Sequence, residues 1–303
     1  MTHHILPPLG LALAAGLLIP WLLVRARWTQ QVPRLALTAW ALCGTVFALS
    51  AAVLPAQLLL PGRTLHRITD TALALDPPSP GRLADASLPE AVAAVAALVV
   101  LALPVAGFAR ELLRARRARA RHTELLRLVG RYDPALGATV LADARPAVYC
   151  LPGRARRVVV SSGAVSLLTD RQLAAALSHE RAHIAGRHHL LVAAAGAYGA
   201  VFPRLPLARL GRKAVPLLLE MAADDRALRA CSREELATAL YTLAVGHAPR
   251  EAFAAGGPSA ALRMRRILTP FHPGHPALRG AIAVTSAVGA IAPLVMACCA
   301  LPG

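Results

Sequence analysis

Two histidines four residues apart, with a glutamate beside the first, are the residues of this sequence best suited to chemistry: His179-Glu180-Arg181-Ala182-His183. Residues at that spacing share one face of a helix, so both imidazoles can hold a single metal ion. Glu180 lies about 100° around the same helix, where it can reach a water at the metal without occupying the metal itself. A catalytic zinc keeps an open position beside three protein ligands, so a third donor is required. The next acidic residues downstream are Glu220, Asp224 and Asp225. Glu220 and Asp224 are again four apart on one face. Glu220 is assigned as the third ligand and Asp224 as the carboxylate that fixes the tautomer of a ligand imidazole. Asp225 points elsewhere and is expected in solvent or paired with Arg229. One zinc per chain follows.

These side chains need a helix and something to hold it. Thr169-Asp-Arg-Gln172 has the form of a capping box, which predicts the start of a helix whose third turn presents the H-E-x-x-H residues. Ahead of it, Ala138–Leu141, Ala147–Leu151 and Arg157–Ser161 are short apolar or β-branched runs separated by Asp143–Pro146 and Pro152–Arg154. Turn residues between such runs predict a small antiparallel sheet. Its last strand, with Val158, Val159 and Val160, is the expected edge on which an extended peptide would lie as an added strand. A second capping box, Ser232–Glu235, starts a helix ending near His247. Other histidines are set aside. His188 and His189, about 140° and 240° past His183 on a continued helix, leave the ligand face, and His272 and His275 sit on a proline-broken loop. The five cysteines show no paired metal spacing and are expected as small buried hydrophobes.

Composition places this chemistry at a membrane. The chain has 303 residues, 56% of them hydrophobic and 16% charged, with a mean hydropathy of +0.52. Soluble domains are about 45–50% apolar and about 25% charged, so soluble, disordered and disulfide-scaffold classes are excluded. Four charge-free stretches approach the roughly 20 residues needed to cross a bilayer: 5–24, 35–60, 91–109 and 281–301. Arg25, Arg27 and Arg34 follow the first, and the loop 62–90 carries more acids than bases. Residues 110–279 hold 27 basic and 12 acidic side chains. Because basic loops stay inside, both termini are expected outside and 110–279 in the cytoplasm. The arginine run from Arg110 to Arg121 suits anionic headgroups better than nucleic acid, for which no reading motif is present. The apolar stretch 190–202 is short for a span and is expected to pack on the transmembrane bundle.

Val158–Gly163, Leu168–Leu173, the H-E-R-A-H core and the following E-x-x-x-D resemble the antirepressor metallopeptidases of the BlaR/MecR type. HtpX-type and CAAX-prenyl-type membrane proteases are similar, and Arg263–Pro270 resembles the family's closing segment. The resemblance implies a mainly α membrane protein: three transmembrane helices in 1–109, a cytoplasmic α+β gluzincin-like zinc protease domain in 110–279, and a fourth transmembrane helix in 280–303. It implies zinc on His179, His183 and Glu220, and Glu180 as catalytic base. The β-lactam-sensing members carry a C-terminal extracellular penicillin-binding domain, and with the sequence ending at Gly303 direct sensing is not expected. The expected function is cleavage of a cytosolic regulatory protein, a winged-helix repressor of the BlaI/MecI type, in a bacterial cell membrane. The alternatives are an HtpX-like quality-control protease and a non-catalytic signalling scaffold.

Overall fold

A computed structural model describes residues 2–59, 87–153, 156–247, 252–269 and Gly280. The expected outer loop, apart from its last residues, and the expected fourth span lie outside the described residues, as do His272 and His275. The chain is mostly helical and divides into two compact units, one of Met1–Ala109, Ala195–Ala214 and Gly274–Gly303, the other of Arg110–Ala194 and Val215–Pro273.

In the first unit, α1 (Thr2–Leu13), a π-helical turn (Ala14–Leu18) and α2 (Ile19–Arg25) form one apolar rod. After the short α3 (Arg27–Gln31), α4 (Pro33–Leu59) returns. Among the described residues, three helices, Ile5–Arg25, Pro33–Leu59 and Leu88–Val129, are long and apolar enough to cross a membrane. The third, α5, does not stop where its apolar run ends but continues through the arginine run to a total length of 42 residues. No proline or glycine punctuates that run, and arginine and alanine are good helix formers. Gly16, in the π turn, lets Phe47 of α4 close on the first rod; a methyl there would lie 2.9 Å from Phe47 Cδ2. Also in this unit is the end of α8 (His188–Val201), which covers the apolar 190–202 stretch. The Tyr198 hydroxyl donates to the Gly44 carbonyl at 2.7 Å, and Phe202 meets Phe47 edge-on with ring centroids 5.6 Å apart. This stretch does pack on the span helices, which is why it is apolar all round.

The second unit begins with a four-stranded sheet of order β1-β2-β4-β3, made of β1 (Gly130–Asp133), β2 (Ala138–Leu141), β3 (Val148–Leu151) and β4 (Arg157–Ser161). Two expectations are corrected here. The sheet is mixed, because β2 and β4 pair in parallel, Thr139 opposite Val159 and Val140 opposite Val160. The segment between β2 and β3 is therefore not a hairpin turn; it crosses the end of β4. Ser161 Oγ pins it by accepting from Ala147 N at 2.8 Å, and Gly163 N donates to Asp143 O at 2.9 Å. Gly163 is required there, since a Cβ would overlap the Ala144 carbonyl. The second correction follows from the first. Val158, Val159 and Val160 sit on an inner strand paired on both sides and are 4%, 0% and 0% exposed, so they offer no edge to a peptide. The free edges are β1 and β3.

After α6 (Ser162–Leu167), α7 (Asp170–Ala185) starts at the capping box that the sequence marks: Gln172 N donates to Thr169 Oγ1 and Thr169 N to Gln172 Oε1. Its Leu173, Ala176 and Leu177 pack on Val158 and Val160. Ala175, on the other side, joins Ala227 of α9 (Pro206–Ala227), Leu236 of α10 (Arg233–His247) and Ile267 of α11 (Ala252–Leu268) in a second core. A helix buried on two faces is held in position and rotation, which a metal site requires. Truncating one of the large residues holding it, such as Leu236, costs about 2–5 kcal/mol.

Candidate metal centre

His179 and His183 stand one turn apart on α7, with their Nε2 atoms 3.1 Å from each other. The middle of α9 brings Glu220 across from them. Its Oε2 is 3.4 Å from His179 Nε2 and its Oε1 is 3.5 Å from His183 Nε2. One donor atom from each of the three residues lies within 4.8 Å of the others. Two imidazole nitrogens and a carboxylate turned to one point are a donor set suited to zinc, so the residues present fit that ion.

Each imidazole is held from behind, and differently. His179 Nδ1 is 3.0 Å from Asp224 Oδ1, one turn beyond Glu220 on α9 and wholly buried. Arg263 of α11 locks this carboxylate with a two-pronged contact, Nε to Oδ2 at 2.9 Å and Nη2 to Oδ1 at 2.8 Å. Its third nitrogen, Nη1, reaches Glu220 Oε2 at 2.9 Å. Burial disfavours the His179 cation, but Asp224 and Glu220 outweigh it and raise the imidazole to about 9. Burial works against the Asp224 and Glu220 carboxylates too, yet His179 and Arg263, joined for Glu220 by His183, hold both well below the ordinary range.

His183 has a different support. Its Nδ1 lies 2.9 Å from Nδ1 of His188, with the rings edge to face. The helical extrapolation that set His188 aside fails because α7 ends at Ala185 and Arg187 takes a left-handed conformation, φ 50°. The break swings His188 back over Gly186, where a side chain would collide with its ring. When His183 Nε2 faces a metal, its Nδ1 carries the proton and donates it to His188.

Three further residues belong here that sequence reasoning passed over or placed elsewhere. Arg263 is one, marked in the sequence only as part of a closing segment. Cys150 of β3 is the second. Its thiol donates to the Glu180 carboxylate, and burial together with Glu180 pushes it up to about 12. Asp225 is the third: it pairs with Arg266 of α11 at 2.7 Å, not with Arg229. Glu180 itself, half-buried on α7, stands beside the edge strand β3 through Cys150.

Residues 113–209 match the model of a family described as Peptidase family M48. The matched stretch holds His179, Glu180 and His183 and ends before Glu220. The match points to a metallopeptidase and is consistent with the membrane zinc metallopeptidase superfamily; peptidases of family M48 are typically zinc-dependent. Together with the membrane-length helices it marks the chain as a membrane protein. No curated protein and no solved structure gives a significant match.

Proposed function

We propose that this chain is an integral-membrane zinc endopeptidase with its active site in the cytoplasm. Its substrate is a cytosolic regulatory protein of the BlaI/MecI-type winged-helix repressor class. The observation that carries the peptidase reading is the convergence of His179, His183 and Glu220, with Glu180 on the same helix beside a free sheet edge. Zinc held by those three ligands would polarise the scissile carbonyl and lower the pKa of the attacking water. Glu180 takes the proton of that water on its carboxylate and passes it to the leaving amine nitrogen. Asp224 and His188 keep His179 and His183 in the tautomers that turn Nε2 to the metal, and Arg263 steadies the Glu220 carboxylate.

The substrate strand belongs on β3 and not on the valines of β4. β3 ends the sheet, so its outer N–H and C=O groups are available for an added strand, and Cys150 in it touches Glu180. A peptide on that edge would carry its scissile bond past the base. The repressor class rests on the resemblance of the motif set, and the cytoplasmic placement on the basic excess of 110–279.

A second reading, turnover of damaged membrane proteins, is favoured by α8. This helix starts three residues after the ligand helix and carries the Tyr198 contact with α4. Proteomic comparison of wild type with Glu180→Gln separates the two. A repressor that persists only in the variant after stimulation supports the first reading, whereas membrane proteins accumulating in the variant with unchanged repressor support the second. Identical proteomes would overturn both.

A further inference from the structure

A cluster of arginines in the first unit has no part in this chemistry. Trp21, near the end of the first apolar rod, has two guanidinium groups over its ring: Arg25 Cζ at 5.7 Å from the ring centroid and Arg209 Cζ at 5.8 Å. Arg25 is one helical turn from Trp21, but Arg209 comes from α9, far downstream in the sequence. Leu205 lies close to Gly16 and Gly211 close to the Trp40 ring, which docks the start of α9 on the span helices, and Leu207 and Ala208 are buried there. Neither guanidinium pairs with a carboxylate among the described residues. The described part of this unit holds a single acidic residue, Glu90, at the start of α5. Two like charges gathered on one indole, with Arg212 and Lys213 one turn further along the same exposed face, present an anion-binding surface that no described carboxylate occupies.

The neighbours of Trp21 say which anion. Leu18 and Leu22, on either side of it in the same rod, are 64% and 65% exposed, and Trp21 itself is 40% exposed. An occupant meeting these residues needs an apolar body below and a negative head above. A soluble acidic peptide or free phosphate has no use for the exposed leucines. A membrane lipid fits both requirements, with its acyl chain on Leu18 and Leu22 and its headgroup between the arginines, and tryptophan at the end of a span marks that level of the bilayer. We propose that Trp21, Arg25 and Arg209 form a binding site for the phosphate of an anionic lipid headgroup, with Leu18 and Leu22 receiving the chain.

Native mass spectrometry of the full-length protein in mild detergent tests the site, with phosphatidylglycerol in competition against phosphatidylcholine. Wild type should retain one phosphatidylglycerol per chain, and Arg25→Gln/Arg209→Gln should weaken that retention about tenfold. Arg226→Gln/Arg229→Gln, exposed at and just past the far end of α9 in the second unit, should leave it unchanged. Arg25→Lys/Arg209→Lys keeps the charge and loses the planar fork; it should fall in between, and it tests the site should the glutamine pair not accumulate. Equal retention of both lipids by wild type, unchanged retention in both Arg25/Arg209 variants, or displacement of the lipid by millimolar inorganic phosphate would overturn the proposal.

Discussion

The two clusters of arginine in this protein differ in how their charge is answered. In the metal centre, Arg263 binds Asp224 and Glu220 with all three nitrogens, and Arg266 beside it binds Asp225. Both guanidinium groups meet carboxylates of the same unit at 2.7–2.9 Å, and the Asp224 carboxylate is wholly buried. Around Trp21, Arg25 and Arg209 converge with no carboxylate paired to them among the described residues. The first cluster is complete without a partner and pre-organises ligands. The second is complete only when something anionic arrives. Arginine count, which is high across the whole chain, says nothing about this difference; the position of the acids does.

Removal of a ligand should give the largest effect and break the comparison if it fails. His183→Ala or Glu220→Ala should lower zinc from one per chain to near none in metal analysis of the purified protein, with peptide hydrolysis lost alongside. Full zinc occupancy in either variant would make the cluster an ion-pair network like that of Asp225. Next comes the contrast between arginines. Arg263→Met leaves Asp224 buried without its cation and should destabilise the protein by about 3–5 kcal/mol in denaturant titration. Arg209→Met, at an exposed position, should stay within about 0.5 kcal/mol of wild type. Similar losses in the two would erase the distinction between an answered and an unanswered charge.

The smallest effects should separate the two imidazole supports. Asp224→Asn should lower activity by about 10–100-fold, and His188→Ala by about tenfold or less, because a neutral ring orients His183 without adding charge. A pH series of zinc affinity discriminates further. His179 is raised to about 9 before metal binds, so its proton must leave on binding. Apparent affinity should therefore climb about tenfold per unit from pH 7 and level off near 9. Asp224→Asn should bring the plateau to lower pH and His188→Ala should leave it in place; the reverse pattern would exchange the roles of the two supports.

Much of the centre was legible because it is written in helical periodicity. His179 and His183, Glu220 and Asp224, and the Thr169–Gln172 cap each lie within one or two turns, and backbone geometry alone brings such residues to one face. The strands were legible as segments but not as a sheet. Ala138–Leu141 and Arg157–Ser161 read correctly from their apolar runs, whereas their parallel pairing depends on a loop held across β4 by Ser161 and Gly163. Placing the substrate on Val158–Val160 failed for that reason. His188 was misread because one left-handed residue, Arg187, ends the periodicity on which the reading relied.

By itself the sequence indicated the membrane-length apolar helices, the H-E-x-x-H motif and the pair Glu220 and Asp224 that the fold brings up to it. The first two follow from composition and from a spacing of one helical turn, and Glu220 and Asp224 are the next acids downstream that share a helix face. Only the tertiary structure decided which cation answers Asp224, 39 residues away, which strand keeps a free edge beside Glu180, and that Arg209 shares an indole with Arg25. Such contacts arise from burial summed over whole elements. Local preference places each residue on its own helix or strand, and only the packing of the helices on one another and on the sheet brings distant charges together or leaves them waiting for a partner.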